Sequence, residues 1–447
     1  MVTGFRSTGV EGLDELLNGG IPEGGVILVA GHPGSGKSTL GAQFLYAGCL
    51  EGEAGVYASF AERKEEFYSH LDRLGISVRE FEKRGLFKFL WFPLASNVAL
   101  DSVLNSLLES IGELGARRLV VDSFTALLET VERDKARAFL HNLLNLGIKP
   151  ARVSTILIAD LPYGRKTVGY GFEEFLVDGI LLLKFEEVGG LVKRTIEIRK
   201  VRWADMPRMS YEFVIREGGI ELLAPREGGL RGRVPRERVP TGVEGLDQAL
   251  GGGIPRGSVV LISGPSGSGK TVLAMKFAIE GANRGEKVLY VSFEEPASQL
   301  EGTARSLGLK GREGLEISVL NPSFYTPGSL YYSLKKLVEE RGAERVVVDG
   351  LSALERSYGR RESIRLVERL ALYCKERYST LLFTSPADLM GGETSGAETI
   401  ADVLIALWFD TRGESVERRV AVLKVRGNPH GARKMRLELS REGVWIE

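Results

Sequence analysis

The sequence predicts an α/β protein of two tandem domains, each a mostly parallel sheet with helices on both faces and antiparallel strands added at one edge. Three observations carry this reading. The chain has 447 residues, room for two domains at roughly 100 to 200 residues each. Residues 7–25 (STGVEGLDELLNGGIPEGG) match residues 240–258 (PTGVEGLDQALGGGIPRGS) at 13 of 19 positions, with a constant offset of 233. Within each half, short β-branched apolar runs alternate with stretches of helical periodicity, the pattern of strands buried between two layers of helices.

A repeat spaced by 233 residues far exceeds the roughly 20 to 50 residues of solenoid units, so each copy is read as a domain. The expected domains are residues 1–223 and 241–447. Between them, residues 224–240 (APREGGLRGRVPRERVP) are rich in Pro, Gly and Arg and lack periodicity, which marks a linker. In the first copy the expected buried strands are 26–30, 55–59, 119–121, 155–158 and 180–183. The last part of each half, 195–202 followed by 211–223 and 419–426 followed by 435–446, reads as antiparallel strands at a sheet edge.

Composition narrows the classes. Lys+Arg and Asp+Glu each total 59, and 43% of residues are hydrophobic, which excludes bulk disorder and gives no support to nucleic-acid binding driven by overall charge. Cys49 and Cys374 lie far apart in apolar segments, so neither a disulfide framework nor a Cys-based zinc site is available. The first residues lack the pattern of a signal peptide, and the longest apolar runs, such as 403–409, are too short to span a bilayer. A cytoplasmic protein is expected.

The strongest chemical signal is G-x-x-x-x-G-K-[ST], present as GHPGSGKS at 31–38 and GPSGSGKT at 264–271. Each copy follows an apolar strand and precedes a helix-compatible stretch. Glycines there let successive N–H groups turn inward around phosphates, and Lys37 or Lys270 reaches the β and γ oxygens of a nucleoside triphosphate. Ser38 and Thr271 are the expected Mg²⁺ ligands. A second element is an apolar run ending in an acid, Asp122 and Asp349, which follow their P-loop lysines by 85 and 79 residues; each is expected to assist the Mg²⁺.

The third element is the acid pair after the second strand. Glu294 and Glu295 stand there in the second copy, whereas the first has Ala61 and Glu62. Glu294 is read as the group that polarises an attacking water, while Glu295 and Glu62 are as readily loop acids or helix caps. The fourth is a matter of parity. Strand alternation puts Ile196, Ile198, Lys200 and Arg202 on one face, and Val420, Val422, Lys424 and Arg426 on one face, so an apolar face turns cationic at the same place twice. Two such cations suit an anion delivered by a neighbouring subunit, the alternative being an exposed strand end with ordinary solubilising charges. His32, His70, His141 and His430 share no metal-ligand spacing, and the four Trp residues are read as packing.

As a set, T-G-V-E-G-L-D, the two P-loops, Ser-Phe-Glu-Glu, V-V-V-D-G-L-S-A-L and the closing Lys-Val-Arg-Gly-Asn-Pro-His resemble the KaiC family within the RecA-like ATPases. The likeness covers both halves. It implies a RecA-like core in each half, ATP with Mg²⁺ at subunit interfaces, and a homo-oligomer, a hexamer of two stacked rings, working with an unidentified protein partner. Carried over by position, the P-loops fall on Gly34, Ser35, Gly36, Lys37, Ser38 and Thr39, and on Gly267, Ser268, Gly269, Lys270, Thr271 and Val272. The first catalytic glutamate falls on Glu294, which also joins the expected metal residues, Ser38 and Asp122 in the first copy and Thr271 and Asp349 in the second. Lys200 with Arg202 and Lys424 with Arg426 become subunit-bridging cations. Ala61, and Trp203 to Met206 in place of the family's Gly and His, direct hydrolysis to the second domain.

The resemblance also leaves room for serine/threonine autokinase activity, with Thr399 as the one remaining acceptor after Glu398; the other reading of Thr399 is a cap before a strand. Two functions from other classes stay open. A RecA-like DNA motor needs basic central loops; the second-copy loop at 386–398 carries Asp388, Glu393 and Glu398 without Lys or Arg, although the first-copy loop has Tyr163, Arg165, Lys166 and Tyr170. A nucleotide-gated scaffold with little turnover would suit Ala61.

Overall fold

The computed structural model describes residues 4–93, 99–128, 131–161, 171–188, 190–204, 210–223, 237–307, 314–412, 415–427, 433–440 and 443–447. The chain separates into two compact units, Met1–Arg226 and Glu227–Glu447. In the first unit the sheet strands are β1 (Val26–Gly31), β2 (Gly55–Ser59), β3 (Phe87–Trp91), β4 (Arg118–Asp122), β5 (Ser154–Asp160), β6 (Gly179–Val188), β7 (Leu191–Val201), β8 (Ser210–Arg216) and β9 (Gly219–Leu222). They lie in the order β9-β8-β7-β6-β1-β5-β4-β2-β3. The six from β6 to β3 are parallel, and β7 to β9 join antiparallel at the other edge.

The second unit repeats this with β10 (Val259–Ser263), β11 (Val288–Ser292), β12 (Leu315–Val319), β13 (Arg345–Asp349), β14 (Thr380–Ser385), β15 (Val403–Asp410), β16 (Glu417–Val425), β17 (Met435–Ser440) and β18 (Gly443–Ile446). Its order is β18-β17-β16-β15-β10-β14-β13-β11-β12. Each sheet separates two hydrophobic clusters, one on either face, because the central strands are apolar on both sides. Helices α1 (Lys37–Leu50) and α2 (Lys270–Asn283) start at the P-loops. The doubly covered, mostly parallel architecture with antiparallel edge strands is the one the alternation predicts.

Four details depart from the sequence reading. The edge strands β3 and β12 were not expected: FKFLW and LEISV mix charges with apolar residues and are only half-buried, so they lack a continuous apolar run. Each expected final strand is a hairpin, β8-β9 and β17-β18. Two residues of the expected linker, Arg238–Val239, pair antiparallel with Ile254–Pro255, as Phe5–Arg6 pairs with Ile21–Pro22 in the first unit. Burial of Val239 in the core fixes that pairing. Residues 224–236 lie outside the described residues.

The fourth departure concerns parity. The register of β6 with β7 slips between Ile180 and Leu181, so that Lys200 pairs with Ile180 while Ile198 pairs with Leu181. An extra residue, Arg199, stands between them and reverses the alternation. Ile196, Ile198 and Val201 belong to one face, and Lys200 turns to the other. The same slip between Leu404 and Ile405 separates Lys424 from Val422. Simple alternation is therefore wrong at this point in both copies.

A buried arginine begins each acid-bearing strand. Arg118 reaches Glu53 at 2.7 Å, Glu51 at 2.7 Å, Ser7 O at 2.6 Å and Phe44 O at 2.9 Å. Arg345 reaches Glu286 through Nε at 2.5 Å and Nη2 at 3.0 Å, and donates to Pro240 O at 2.8 Å and Phe277 O at 3.0 Å. Each guanidinium also lies over the ring of Phe44 or Phe277. Gly48 and Gly281 make room, since a Cβ at Gly48 would fall 2.3 Å from Arg118 Nε. Removing one member of a buried, hydrogen-bonded pair leaves the other charge uncompensated. Arg345→Ala is expected to destabilise the second unit by about 3–5 kcal/mol in urea unfolding; a loss below about 1 kcal/mol would contradict this bonding pattern's weight.

Candidate functional site

The P-loop strands β1 and β10 lie one strand away from the acid-bearing β4 and β13, which sets the site at the carboxyl ends of the parallel strands, where open α/β sheets bind ligands. In each loop two glycines take positive φ: 79° at Gly34 and 103° at Gly36, 78° at Gly267 and 109° at Gly269. A Cβ at Gly34 would meet nothing within 4 Å, so backbone conformation rather than crowding calls for glycine there. Ser35 Oγ and Ser268 Oγ are buried and lack a hydrogen-bond partner among the described residues. With a lysine and a helix N-terminus at the same loop, these features fit a bound phosphate chain.

The lysines are held differently. Lys37 Nζ donates to Gly31 O and His32 O, both at 3.0 Å, and forms an ion pair with Asp160 Oδ1 at 3.0 Å. Lys270 Nζ donates to Gly264 O at 2.8 Å and Pro265 O at 2.9 Å. Burial pulls the Lys270 pKa below the ordinary lysine value, with Asp349 and Glu294 acting in the opposite direction.

The acids at the strand ends sit directly beside the P-loop helices. Asp122 Oδ2 accepts from Ser38 Oγ at 2.6 Å and from Tyr57 OH at 2.6 Å. Burial raises its pKa, and those two hydrogen bonds oppose the rise. Asp349 accepts from Tyr290 OH at 2.6 Å and from Thr384 Oγ1. Burial and the neighbouring aspartate push both tyrosines far up, keeping them protonated donors. Tyr57 and Tyr290 went unnoticed in the sequence, although the same 233-residue offset relates them.

The turns after β2 and β11 share one lock. Ser59 Oγ accepts from Glu62 N at 3.0 Å, and Ser292 Oγ accepts from Glu295 N at 2.9 Å and Glu294 N at 3.3 Å. Phe60 N and Phe293 N donate to the carbonyls of Asp122 and Asp349. Glu294 then reaches Ser352 Oγ at 2.7 Å and Arg356 Nη2 at 2.8 Å. Burial alone would raise its pKa, but these two partners outweigh it and hold the carboxyl below the usual range. Glu295 and Glu62 move up instead, through burial and then the nearby aspartate. Ser352 and Arg356 were also missed; nothing in their spacing distinguishes them from ordinary helix residues.

The four edge cations brace the segment before β6 or β15. Lys200 Nζ donates to Glu174 O and Val177 O at 2.7 Å, and Arg202 pairs with Asp178 at 3.1 Å. Lys424 donates to Glu398 O at 3.2 Å, and Arg426 pairs with Asp402 at 3.2 Å. Glu398 accepts from Ser395 N, Ser395 Oγ and Gly396 N at 2.7–2.8 Å, and the exposed Thr399 donates to Gly396 O at 3.0 Å. Burial would raise the Glu398 pKa, but these donors bring it below the usual value. In the 386–398 loop Asp388 caps Met390 and Gly391. Residues 163–170, with Arg165 and Lys166, and residues 428–432, with His430, lie outside the described residues.

The family model described as "ATPase: KaiC" matches residues 6–227 and again 239–447. The chain belongs to the KaiC family of ATPases. It is 30% identical to the circadian clock oscillator protein KaiC of Parathermosynechococcus lividus over 99% of this chain and 85% of that protein. The circadian clock protein KaiC2 of Synechocystis sp. is also 30% identical, over 98% of this chain and 80% of its own length. KaiC3 of the same organism is 28% identical over 98% of this chain and 91% of its own length. Both copies of the KaiC family model thus cover the tandem α/β units. Among the described residues no helix is long and apolar enough to cross a membrane.

Because Arg356 helps to hold Glu294 ionised, Arg356→Gln is expected to move the Glu294 titration to higher pH. Carboxyl ¹³C shifts followed through the acid range check this, and an unchanged midpoint would contradict it.

Proposed function

We propose that the chain binds ATP in both units and hydrolyses it mainly in the second, within a homo-oligomer whose shape or partner affinity follows nucleotide state. The observation that carries the proposal is the divergence at one turn: Glu294 in the second unit, ionised and gripped by Ser352 and Arg356, against Ala61 in the first. An ionised carboxylate held in place can take a proton from a water; a methyl group cannot.

In each unit the P-loop N–H groups and Lys37 or Lys270 would hold the phosphates, with Gly34 to Thr39 and Gly267 to Val272 forming the cradle. Ser38 with Asp122 in the first unit, and Thr271 with Asp349 and Glu294 in the second, would hold Mg²⁺, which supplies neutralising charge at the phosphate oxygens. In the second unit Glu294 accepts the proton of the attacking water, and Ser352 and Arg356 fix the direction of its carboxylate. Glu295 and Glu62, whose N–H groups are capped by Ser292 and Ser59, serve first to set the turn. Lys37 and Lys270 then balance the charge that develops on the phosphate.

The ring assembly rests on the edge cations. Lys200, Arg202, Lys424 and Arg426 are each fixed by a carbonyl or an aspartate, and that bracing would present a preset cation to a neighbour's nucleotide. A hexamer of two stacked rings is the assembly the family likeness favours. For Thr399, the bond to Gly396 O supports the cap rather than the phosphate acceptor. The DNA-motor reading is weaker, since Asp388, Glu393 and Glu398 make the described 386–398 loop acidic.

Glu294→Gln is expected to lower steady-state ATP turnover by roughly 10²-fold or more while nucleotide binding stays within about threefold. Turnover within about threefold of the unaltered protein would remove Glu294 from the mechanism.

A further inference from the structure

The two sites place a carboxylate in different spots, and the first unit's spot is the less expected. Asp160 ends β5, the strand that runs beside the P-loop strand, with Gly31 and Asp160 in register. One carboxylate oxygen pairs with Lys37 Nζ at 3.0 Å and the other accepts from Ser123 Oγ at 2.7 Å. The Asp160 N–H donates to Thr125 Oγ1 at 2.9 Å. The Lys37 side chain is only 7% exposed, so this is a largely desolvated ion pair on the lysine's side.

The second unit takes this arrangement apart. Ser263 is in register with Ser385, so the place of Asp160 beside Gly264 falls to Pro386. Counting from Asp122 and Asp349, Ser123 becomes Gly350 and Thr125 becomes Ser352. Gly350 offers no hydroxyl, and Ser352 supports Glu294 instead. The carboxylate, its supporting hydroxyl and the acid they would compete with have changed together, which a lone surface substitution would not do.

We propose that Asp160 is a specificity-determining residue that makes the first site favour a nucleoside diphosphate over a triphosphate, relative to the second site. This rests on the proposal that the first P-loop binds nucleotide. Lys37 has its three ammonium N–H groups directed to two carbonyls and a carboxylate. A nucleotide must replace one of these, and the β and γ phosphates both approach that ammonium. Each added phosphate charge meets the Asp160 carboxylate at short range, in a site where charges are poorly screened. The triphosphate carries one more charge than the diphosphate and bears the greater repulsion. At Lys270 no such acid follows the strand, since Pro386 takes the place.

The test uses the full chain with Lys270→Ala, which confines binding to the first P-loop, titrated in Mg²⁺ with fluorescent ADP and a fluorescent non-hydrolysable ATP analogue. Adding Asp160→Asn, nearly the same shape without the charge, is expected to shift the preference toward the triphosphate by roughly tenfold or more. The converse change, Pro386→Asp in a Lys37→Ala chain, is expected to shift the second site toward the diphosphate. Parallel changes in both affinities, or none, would overturn the proposal. So would an unchanged preference accompanied by loss of residual first-site turnover, which would make Asp160 a base. If neither nucleotide binds the Lys270→Ala chain while both bind the unaltered protein, the first P-loop is not a nucleotide site and both readings fall.

Discussion

Each unit depends on a buried arginine at the start of the strand that ends in the site's aspartate. Arg118 and Arg345 join three things that are distant in sequence: the segment before the first helix, the P-loop helix and the acid strand. Their carbonyl acceptors on α1 and α2, Phe44 and Phe277, lie about two turns beyond the P-loop lysines. A guanidinium has five donors in a rigid fork, so it holds several acceptors in one geometry where an ammonium would not. The glycines at 48 and 281 keep the helix close enough for this. What is fixed at one end of the sheet is therefore how the P-loop helix faces Asp122 or Asp349 at the other.

On that common frame the two copies have parted company in their acids. The second keeps a glutamate on the turn after its second strand and supports it with Ser352 and Arg356. The first has lost that glutamate and carries Asp160 on a different strand, tied to the P-loop lysine itself. Both copies retain the glycine cradle, the lysine, the hydroxyl of Ser38 or Thr271 and the tyrosine behind the aspartate. Such a division suits one unit that holds nucleotide and one that turns it over, because binding needs the cradle whereas turnover also needs an ionised, oriented base.

The sheet core was legible because parallel strands covered on both faces leave near-continuous apolar runs, and the P-loops because their glycines have a backbone purpose that no other residue serves. Edge strands such as β3 left no such run, since one of their faces meets solvent. The bulges at Arg199 and Leu423 were invisible for another reason: a single inserted residue reverses side-chain alternation without altering composition, so the cations at Lys200 and Lys424 changed faces unannounced. Asp160 and Arg356 could not be picked out from spacing at all. Each differs between the copies, and a duplicated sequence draws attention to what is shared.

The central claim is that the duplicated sites divide binding from turnover. The most direct measurement is the rate of phosphate release from ATP by two full-length variants, each with one P-loop lysine replaced. Lys37→Ala should retain most of the activity and Lys270→Ala should retain little of it. If Lys270→Ala keeps most of the activity and Lys37→Ala loses it, the first unit is the motor despite Ala61, and the assignment of Glu294 is wrong.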